Sequence, residues 1–353
     1  MSRIEALPSR MLAISGVMFC LVALATSFFS PEAALTGWLA AFVFMSTLPL
    51  GALCLTMMMR IIPGVWRDDL NMVAELSLSL LPLLLLACLP IMIGLPWIYE
   101  WAREAQLAAF KRVYLSTIFF DIRTLAILAG SFWLALALIV SSRRSLSIAA
   151  FGLVVFVPLH GILATDWEMS LDPQFHSSGF GLYILAGQML TALSLLIILR
   201  LSAGPARQPG VLGALLLAAI LFWVYLAFMQ HFIIWSGNLT QGVIWFQRRG
   251  AGIWATAEYL VILLHLLPLF LLFFPPIRRS PRWLIGLSLA VLGGKLLEYA
   301  WLTIPELAVH VGHAILAYLL SLVGLIQLAL AILSRSRAIL AWLRSRHAAE
   351  MSS

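Results

Sequence analysis

Apolar residues fill ten long stretches of the chain, and short segments rich in arginine, proline and glycine separate these stretches. A helix needs about 20 apolar residues to cross the hydrocarbon core of a bilayer. The pattern therefore predicts an all-α polytopic membrane protein with about ten transmembrane helices. The predicted spans cover roughly residues 11–29, 36–58, 75–97, 116–140, 146–164, 179–199, 210–233, 255–275, 283–303 and 309–333.

The loops between the spans are short, so the sequence indicates a single membrane domain over residues 1–353. We expect a cytoplasmic N-terminus (1–10), ten transmembrane helices (11–333) and a basic cytoplasmic tail (334–353). Two arginines precede the first apolar core, as in a signal peptide. That core has about 18 residues, more than the roughly 7–15 of a cleaved signal, so we interpret it as a retained helix.

Basic residues are distributed unevenly between the two sets of loops. With a cytoplasmic N-terminus, the inner segments carry fifteen arginines, the outer segments carry five basic residues, and two more lie within spans. The cytoplasmic loops of multi-pass proteins collect Arg and Lys. The bias therefore predicts that both termini lie in the cytoplasm, which requires an even number of spans.

The composition fits this class and excludes others. Hydrophobic residues make up 63% of the chain and charged residues 10%, and the mean hydropathy is +1.02. Soluble domains are about 45–50% apolar and about 25% charged, so a cytosolic enzyme, a disordered chain and a nucleic-acid-binding protein are excluded. The net charge of +7 reflects the basic inner loops. Cys20, Cys54 and Cys88 form no CxxC pair, so no iron–sulfur, zinc or c-type haem ligation is encoded.

Titratable side chains inside the spans are the main candidates for chemistry, because a charged group costs at least about 2.5–3.5 kcal/mol in hydrocarbon. Placed by helix rise, nearly all of them fall in the outer half of the membrane, with Glu75 as the main exception. They are Asp121, Arg123, His160, His231, Glu258, His265, Lys295 and Glu298, with His310 and His313 opening the last span. A one-sided cluster favours a quinol site or an outward proton path over a complete proton channel. The same residues can also have a purely structural role, since Lys295 and Glu298 are spaced i, i+3 and can pair with each other.

Two outer segments carry further candidates. Residues 160–181 contain Asp166, Trp167, Glu168 and Asp172, and residues 229–254 contain Trp235, Asn238 and Arg248. The three carboxylates are suited to carrying protons outward, binding a cation or docking a basic partner, or they belong to a solvated loop. The tryptophans are expected at the membrane boundary, and Asn238 in a turn. Arg248 and Arg249 would neutralise the carboxylate-rich segment.

Four segments between residues 150 and 306 resemble one family. They are TDWEMSLDP (165–173), QHFIIWSGNL (230–239), HLLPLFLLFFPPIRRSPR (265–282) and GKLLEYAWLTIPE (294–306). On these segments the chain resembles the ActF-type membrane subunit of bacterial alternative complex III, a quinol:electron-acceptor oxidoreductase related to NrfD and the polysulfide-reductase membrane anchor. The sequence departs from the family at residues 174–176 and at Thr240–Gln241, which replaces acidic residues. It also has Glu298 where the family often has aspartate.

The resemblance implies a fold, a setting and a substrate. The fold would be two four-helix bundles with a flanking helix at each end of the chain, in the bacterial inner (cytoplasmic) membrane. The partners would be a homologous membrane subunit, periplasmic iron–sulfur and c-haem subunits and, for a divergent branch, a haem–copper oxidase. The subunit itself would hold no prosthetic group, and its exchangeable ligand would be ubiquinone or menaquinone. The residues that we expect to hydrogen-bond quinol or accept its protons are His160, Asp166, His231, Glu258 and His265. The residues that we expect to tune the pKa values of these groups or line the exit path of the protons are Asp121, Arg123, Lys295 and Glu298.

Three other hypotheses stay open. The chain could be a structural or assembly subunit of a respiratory complex or terminal oxidase, with the polar cluster as internal packing. A secondary transporter would need broken helices, for which prolines in the third and eighth spans give room, although one-sided charges argue against alternating access. A b-type haem would need two facing histidines at matched depth, and no span carries the widely spaced pair that a two-haem bundle uses.

Overall fold

The computed structural model describes residues 9–103, 113–141, 146–307 and 310–350, with side chains as far as Ser336. Helices account for most of these residues, and no strand occurs among them. Within the described residues, ten helices are long and apolar enough, by length and composition, to cross a membrane, which confirms the predicted fold class. Spans 1 to 10 are Ser9–Phe28, Pro31–Ile61, Val65–Ile93, Thr117–Val140, Leu146–Leu171, Phe180–Ser202, Pro209–Ser236, Gly252–Leu272, Pro281–Glu306 and Val311–Ser336.

The observed spans differ from the predicted ones mainly at their ends. Span 2 begins at Pro31 instead of near residue 36, because proline is well tolerated in the first turn of a helix. The last helix runs without a break from Val311 to Glu350, so the tail predicted at 334–353 is helical up to residue 350. The stretches that lie outside the described residues are 1–8, 104–112, 142–145, 308–309 and 351–353.

Span 2 forms the centre of the molecule. Every residue from Ala33 to Met57 is buried, because the helix packs against spans 3, 5, 6, 9 and 10. Spans 2–5 pack together as one group of four helices and spans 6–9 as a second group, and the two groups meet where span 2 contacts span 6. Span 10 lies against span 2, and span 1 packs along span 10. The terminal helices therefore flank the two bundles side by side.

Two glycines of span 2 let neighbouring helices approach closely. A Cβ atom at Gly37 would lie 2.4 Å from the carbonyl oxygen of Ala314 in span 10. A Cβ atom at Gly51 would lie 2.5 Å from the carbonyl oxygen of Gln188 in span 6. These distances are too short for any side chain, so only glycine fits at either crossing. Small residues are typical of helix contacts in membranes, where close van der Waals packing drives association.

Prolines divide the second half of span 3 and the residues directly after it into short helical segments. The segments Leu81–Ala87, Leu89–Ile93 and Leu95–Ile98 each carry proline at their second residue. Proline lacks a backbone donor and clashes with the preceding turn, so carbonyl groups lose their usual partners near each break. Trp38 of span 2 donates its Nε1–H to the Ala87 oxygen at 2.9 Å. A neighbouring helix thus satisfies part of the broken backbone, as membrane interiors require.

The two ends of the bundle carry different polar contacts. We call the end that holds Ser9 and Arg335 the terminal end, and the opposite end the distal end; Arg335 donates to the Ser9 hydroxyl at 2.9 Å. At the terminal end, Arg200 of span 6 donates to Asp69 of span 3 at 2.8 Å. This ion pair ties the start of span 3 to the second bundle.

Candidate functional site

Glu298 lies at the centre of a polar cluster in the distal half of the bundle. Its Oε2 accepts a hydrogen bond from Lys295 Nζ at 2.6 Å, one turn earlier in span 9. Its Oε1 accepts from the Tyr183 hydroxyl of span 6 and from Trp223 Nε1 of span 7, the latter at 3.1 Å. The predicted i, i+3 ion pair is therefore confirmed. Two neighbouring helices supply the further donors that a buried carboxylate needs.

Aromatic and imidazole rings enclose these charges. Lys295 Nζ lies 3.8 Å from the centre of the Trp223 ring, and the same ring stacks on His265 with 4.1 Å between centroids. His265 is buried, and its Nδ1 lies 2.7 Å from the Val261 carbonyl oxygen. Because a carbonyl oxygen only accepts, Nδ1 carries a proton. Nε2 then has no hydrogen-bond partner among the described residues.

A cavity of about 380 Å³ opens beside this cluster, between spans 7 and 8. The rings that line it are Tyr183, Trp223, Trp245, Phe246 and Trp301, and three predicted candidates, His231, Glu258 and Glu298, also line it. Phe228, Ile262 and Leu266 belong to the lining and are exposed on the outer surface of the bundle. The cavity therefore reaches the face of the protein that would meet lipid.

The segment after span 7, which was expected only to connect two spans, forms a short helix, Thr240–Arg249. Arg249 is buried at its end and donates to the Leu302 carbonyl oxygen at 2.8 Å and to Glu306. Burial and the adjacent Arg248 guanidinium lower the pKa of Arg249 well below its usual value. These contacts fix the short helix, and with it one wall of the cavity, against the end of span 9.

Arg123 and Asp166 form a second ion pair, which lies apart from the cavity lining. Arg123 Nε and Nη2 donate to the two carboxylate oxygens at 2.7 and 2.9 Å, so the contact between spans 4 and 5 is bidentate. The Arg123 guanidinium also lies 4.1 Å from the centre of the Tyr114 ring. Burial, followed by the nearby Asp166 carboxylate, raises the pKa of Tyr114 to about 12. In this structure Asp166 joins two helices.

The structure differs from the predicted outer loop at residues 160–181, because the fifth helix continues as far as Trp167. Asp166, Trp167 and Glu168 are all buried. The expectation of a solvated loop is therefore wrong for Asp166 and Glu168, and Trp167 is not an exposed tryptophan at the membrane boundary. Trp167 Nε1 instead donates to the Thr124 hydroxyl of span 4 at 3.2 Å, so the indole is part of the packing between helices.

Glu168 is a buried carboxyl group that has no hydrogen-bond partner among the described residues. Neither of its oxygens bonds to any residue that the structure describes. It interacts electrostatically with Glu298 and Lys295, which relates it to the polar cluster, although it does not line the cavity. Burying a carboxyl group without a partner is costly, which sets Glu168 apart from the paired carboxylates Asp166 and Glu298.

His160 and Asp121 are not brought to the cavity. His160 Nε2 lies 2.8 Å from Gln188 Oε1, a contact that links spans 5 and 6. Asp121 is half-buried on span 4, and its Oδ1 has no hydrogen-bond partner in the described part of the chain. The role expected for these two residues in quinol or proton chemistry stays a prediction.

The remaining candidates lie at the distal surface. Arg248 lies 3.6 Å from Asp172 and also pairs with Glu306. One of the expected contacts between the arginine pair and the carboxylate-rich segment is therefore present. Trp235 is exposed, as a boundary residue would be, and Asn238 has a φ of 46°, a turn conformation that asparagine tolerates.

Sequence reasoning missed the side chains that complete the polar cluster. Tyr183, Trp223 and Gln188 lie inside apolar spans, yet they contact Glu298 or His160. A usable signal existed, because a buried carboxylate must find donors and aromatic residues with a polar tip on adjacent spans can supply them. Finding those two aromatic residues required knowledge of which spans are neighbours.

The fold and its buried polar groups define an all-helical, multi-pass membrane protein. A comparison with protein-family models and with curated proteins finds no match to this chain. Among the residues that the structure describes, no group of three or more His, Cys, Asp or Glu side chains is arranged to hold a metal ion.

Proposed function

We propose that this chain is a membrane subunit of a respiratory quinol-oxidising complex similar to alternative complex III, where it contributes to a quinol site or an outward proton path. The observation that carries the proposal is the aromatic cavity beside the Lys295–Glu298 pair, which gathers His231, Glu258 and Glu298 around one apolar space. The resemblance over residues 150–306 supports the same function.

A quinone head group suits the chemistry of this cavity. The head group is a flat, apolar ring with two oxygen atoms, which need hydrogen-bond partners at about 2.6–3.2 Å. Ligand pockets combine mostly apolar walls with a few polar groups and enclose about 300–1,000 Å³. The cavity, at about 380 Å³, falls within this range and has walls of that kind. Its opening on the lipid-facing surface leaves room for an isoprenoid tail.

Oxidation of a quinol releases two electrons and two protons, and this chain would take up the protons. Glu258 and His231 interact electrostatically at one wall of the cavity, so either is suited to accept a proton from a quinol hydroxyl. Glu298 also lines the cavity, and Glu168 is a further carboxyl group that interacts electrostatically with it. The two electrons would pass to an iron–sulfur or c-haem centre of a partner subunit.

The expected setting follows from the distribution of arginines. If the termini face the cytoplasm of a bacterial inner membrane, the distal end faces the periplasm. Periplasmic iron–sulfur and c-haem subunits would then lie over the cavity, and a homologous membrane subunit would lie beside the chain. Ubiquinone or menaquinone would enter from the bilayer.

A purely structural role is the second candidate, because most of the buried charges have partners within the chain. Arg123 pairs with Asp166, and Lys295 pairs with Glu298, so each pair satisfies itself without a ligand. In this case the chain would hold the subunits of a respiratory complex or terminal oxidase together and bind no substrate.

Photolabelling of the full-length protein with an azidoquinone separates the two candidates. We expect label in spans 7 and 8 or in the helix Thr240–Arg249. Ala227→Phe places a phenyl ring in the cavity and should reduce labelling about tenfold, because the ring takes up space that the head group needs and a loss of about 1.4 kcal/mol in binding free energy is tenfold in affinity. Leu263→Phe, at an exposed position of span 8, is the matched control and should label normally. Absent labelling, or equal labelling of the wild type and Ala227→Phe, would contradict the quinol site and favour the structural role.

A further inference from the structure

Three arginines near the turn between spans 8 and 9 line two grooves at the terminal end of the bundle. Arg278 and Arg279 line a groove of about 610 Å³ against the start of span 7. Arg282 lines a second groove of about 340 Å³ between spans 8 and 9. No carboxylate lines either groove, and no described acidic residue lies within ion-pair distance of these arginines. In this respect they differ from Arg123, Arg200 and Arg249, which are paired.

The first groove holds its arginines against span 7. A Cβ atom at Gly210 would lie 3.1 Å from Arg279 Cγ, and a Cβ atom at Gly213 would lie 2.6 Å from Arg278 Cγ. The absence of side chains at these two positions lets the aliphatic stems of both arginines pack on the helix. Long cationic side chains that lie on apolar surface in this way keep their charged ends in the polar region.

Beyond the arginines, both grooves are apolar. The first continues along Val211, Ala214 and Leu215, and the second along Leu267, Leu271 and Leu287. Trp283 lies in the second groove beside Arg282 and is half exposed, as expected of an aromatic residue at the membrane boundary. Each groove therefore joins a cationic end to an apolar strip on the membrane-spanning surface.

We propose that each groove binds an anionic phospholipid, with the phosphate on the arginines of that groove and the acyl chains along its apolar strip. Guanidinium groups match phosphate oxygens in a bidentate geometry, and basic pockets between transmembrane helices bind acidic lipid headgroups. Phosphatidylcholine carries an additional cation, so the site should prefer phosphatidylglycerol. The grooves lie at the opposite end of the bundle from the aromatic cavity. The proposal is therefore independent of the quinol function.

Native mass spectrometry of the full-length protein tests this preference, with phosphatidylglycerol in competition with phosphatidylcholine. The triple variant Arg278→Gln/Arg279→Gln/Arg282→Gln should lower the preference for phosphatidylglycerol at least about tenfold, since one basic residue near an anionic headgroup contributes about fivefold. The matched control is Arg10→Gln/Arg67→Gln/Arg335→Gln, which removes the same charge outside the grooves and should keep the preference. Arg279→Gln alone changes an exposed side chain and should lower the preference for phosphatidylglycerol about fivefold. This single variant is used if the triple variant fails to fold.

Three results would overturn the proposal. The first is an unchanged lipid preference in the groove variants, and the second is an equal loss of preference in the control variant. The third concerns the source of the phosphate and uses inorganic phosphate added to lipid-depleted protein. If inorganic phosphate binds at the arginines while the wild-type protein shows no preference between the two lipids, the grooves are a site for free anions only.

Discussion

Lys295 and Glu298 illustrate the requirements of a buried charge in this protein. Both side chains are almost completely buried. The attraction between two buried charges offsets their desolvation only when the geometry is good and the remaining lone pairs are bonded. Tyr183 and Trp223 provide those remaining bonds to Glu298. The stability of the ion pair thus depends on four side chains from three helices.

We expect Glu298→Gln to lower the free energy of unfolding by about 3–5 kcal/mol, because Lys295 would be left buried without its counter-charge. The double variant Lys295→Met/Glu298→Gln should recover most of this loss, since it also removes the unpaired cation. Thermal unfolding of the detergent-solubilised protein measures both variants. If Glu298→Gln were as stable as the wild type, the pair would not stabilise the fold.

At the residue scale, the sequence predicts contacts within a helix better than contacts between helices. The i, i+3 spacing alone is enough to predict the Lys295–Glu298 pair. The partner of Asp166 could not be predicted, because it depends on how spans 4 and 5 are rotated against each other. Depth along a helix follows from counting residues, whereas the direction that a side chain faces requires the packed structure.

At the element scale, two glycines allow close contacts of span 2 with spans 6 and 10. We expect Gly37→Ala to destabilise the protein by about 1–3 kcal/mol, because the added Cβ atom would overlap the Ala314 carbonyl oxygen and push span 10 away. Thermal unfolding would show the loss as a lower midpoint than that of the wild type.

Gly130→Ala is the matched control for this substitution. Gly130 lies within span 4, and an added Cβ atom would meet no atom within 4 Å. Alanine should therefore leave stability unchanged or raise it by up to about 1 kcal/mol through its higher helix propensity. Equal effects of the two substitutions would show that the crossing of spans 2 and 10 does not limit stability.

The helices themselves could be predicted because apolar length is a strong signal in membranes. Their ends were less predictable. Trp167 and the Thr240–Arg249 segment carry polar neighbours that suggested loops, yet tertiary contacts keep them helical. In the second case, Glu306 contributes by pairing with both Arg248 and Arg249.

For the whole molecule, the arginine bias predicts which end faces the cytoplasm. The cysteines Cys20, Cys54 and Cys88 are buried and free, so a membrane-impermeant maleimide should report only on introduced cysteines. Ser236→Cys, at the distal end, should react in cells whose outer membrane alone is permeabilised. Ala203→Cys, at the terminal end, should react only after the inner membrane is disrupted.

The reverse labelling pattern would contradict the predicted orientation. The aromatic cavity would then lie in the cytoplasmic half of the membrane, and periplasmic electron acceptors would be too far away. Such a result would leave the helix packing unchanged, because the packing does not depend on which end faces which compartment.

The rim of the cavity at Phe228, Ile262 and Leu266 has a practical consequence for any measurement of binding. A hydrophobic compound that enters there dissolves first in the bilayer, so occupancy follows its mole fraction among the lipids and not its concentration in buffer. Apparent inhibitory potency should fall as vesicles are added at constant dose. Detergent tails, being apolar and mobile, would compete at the same entrance.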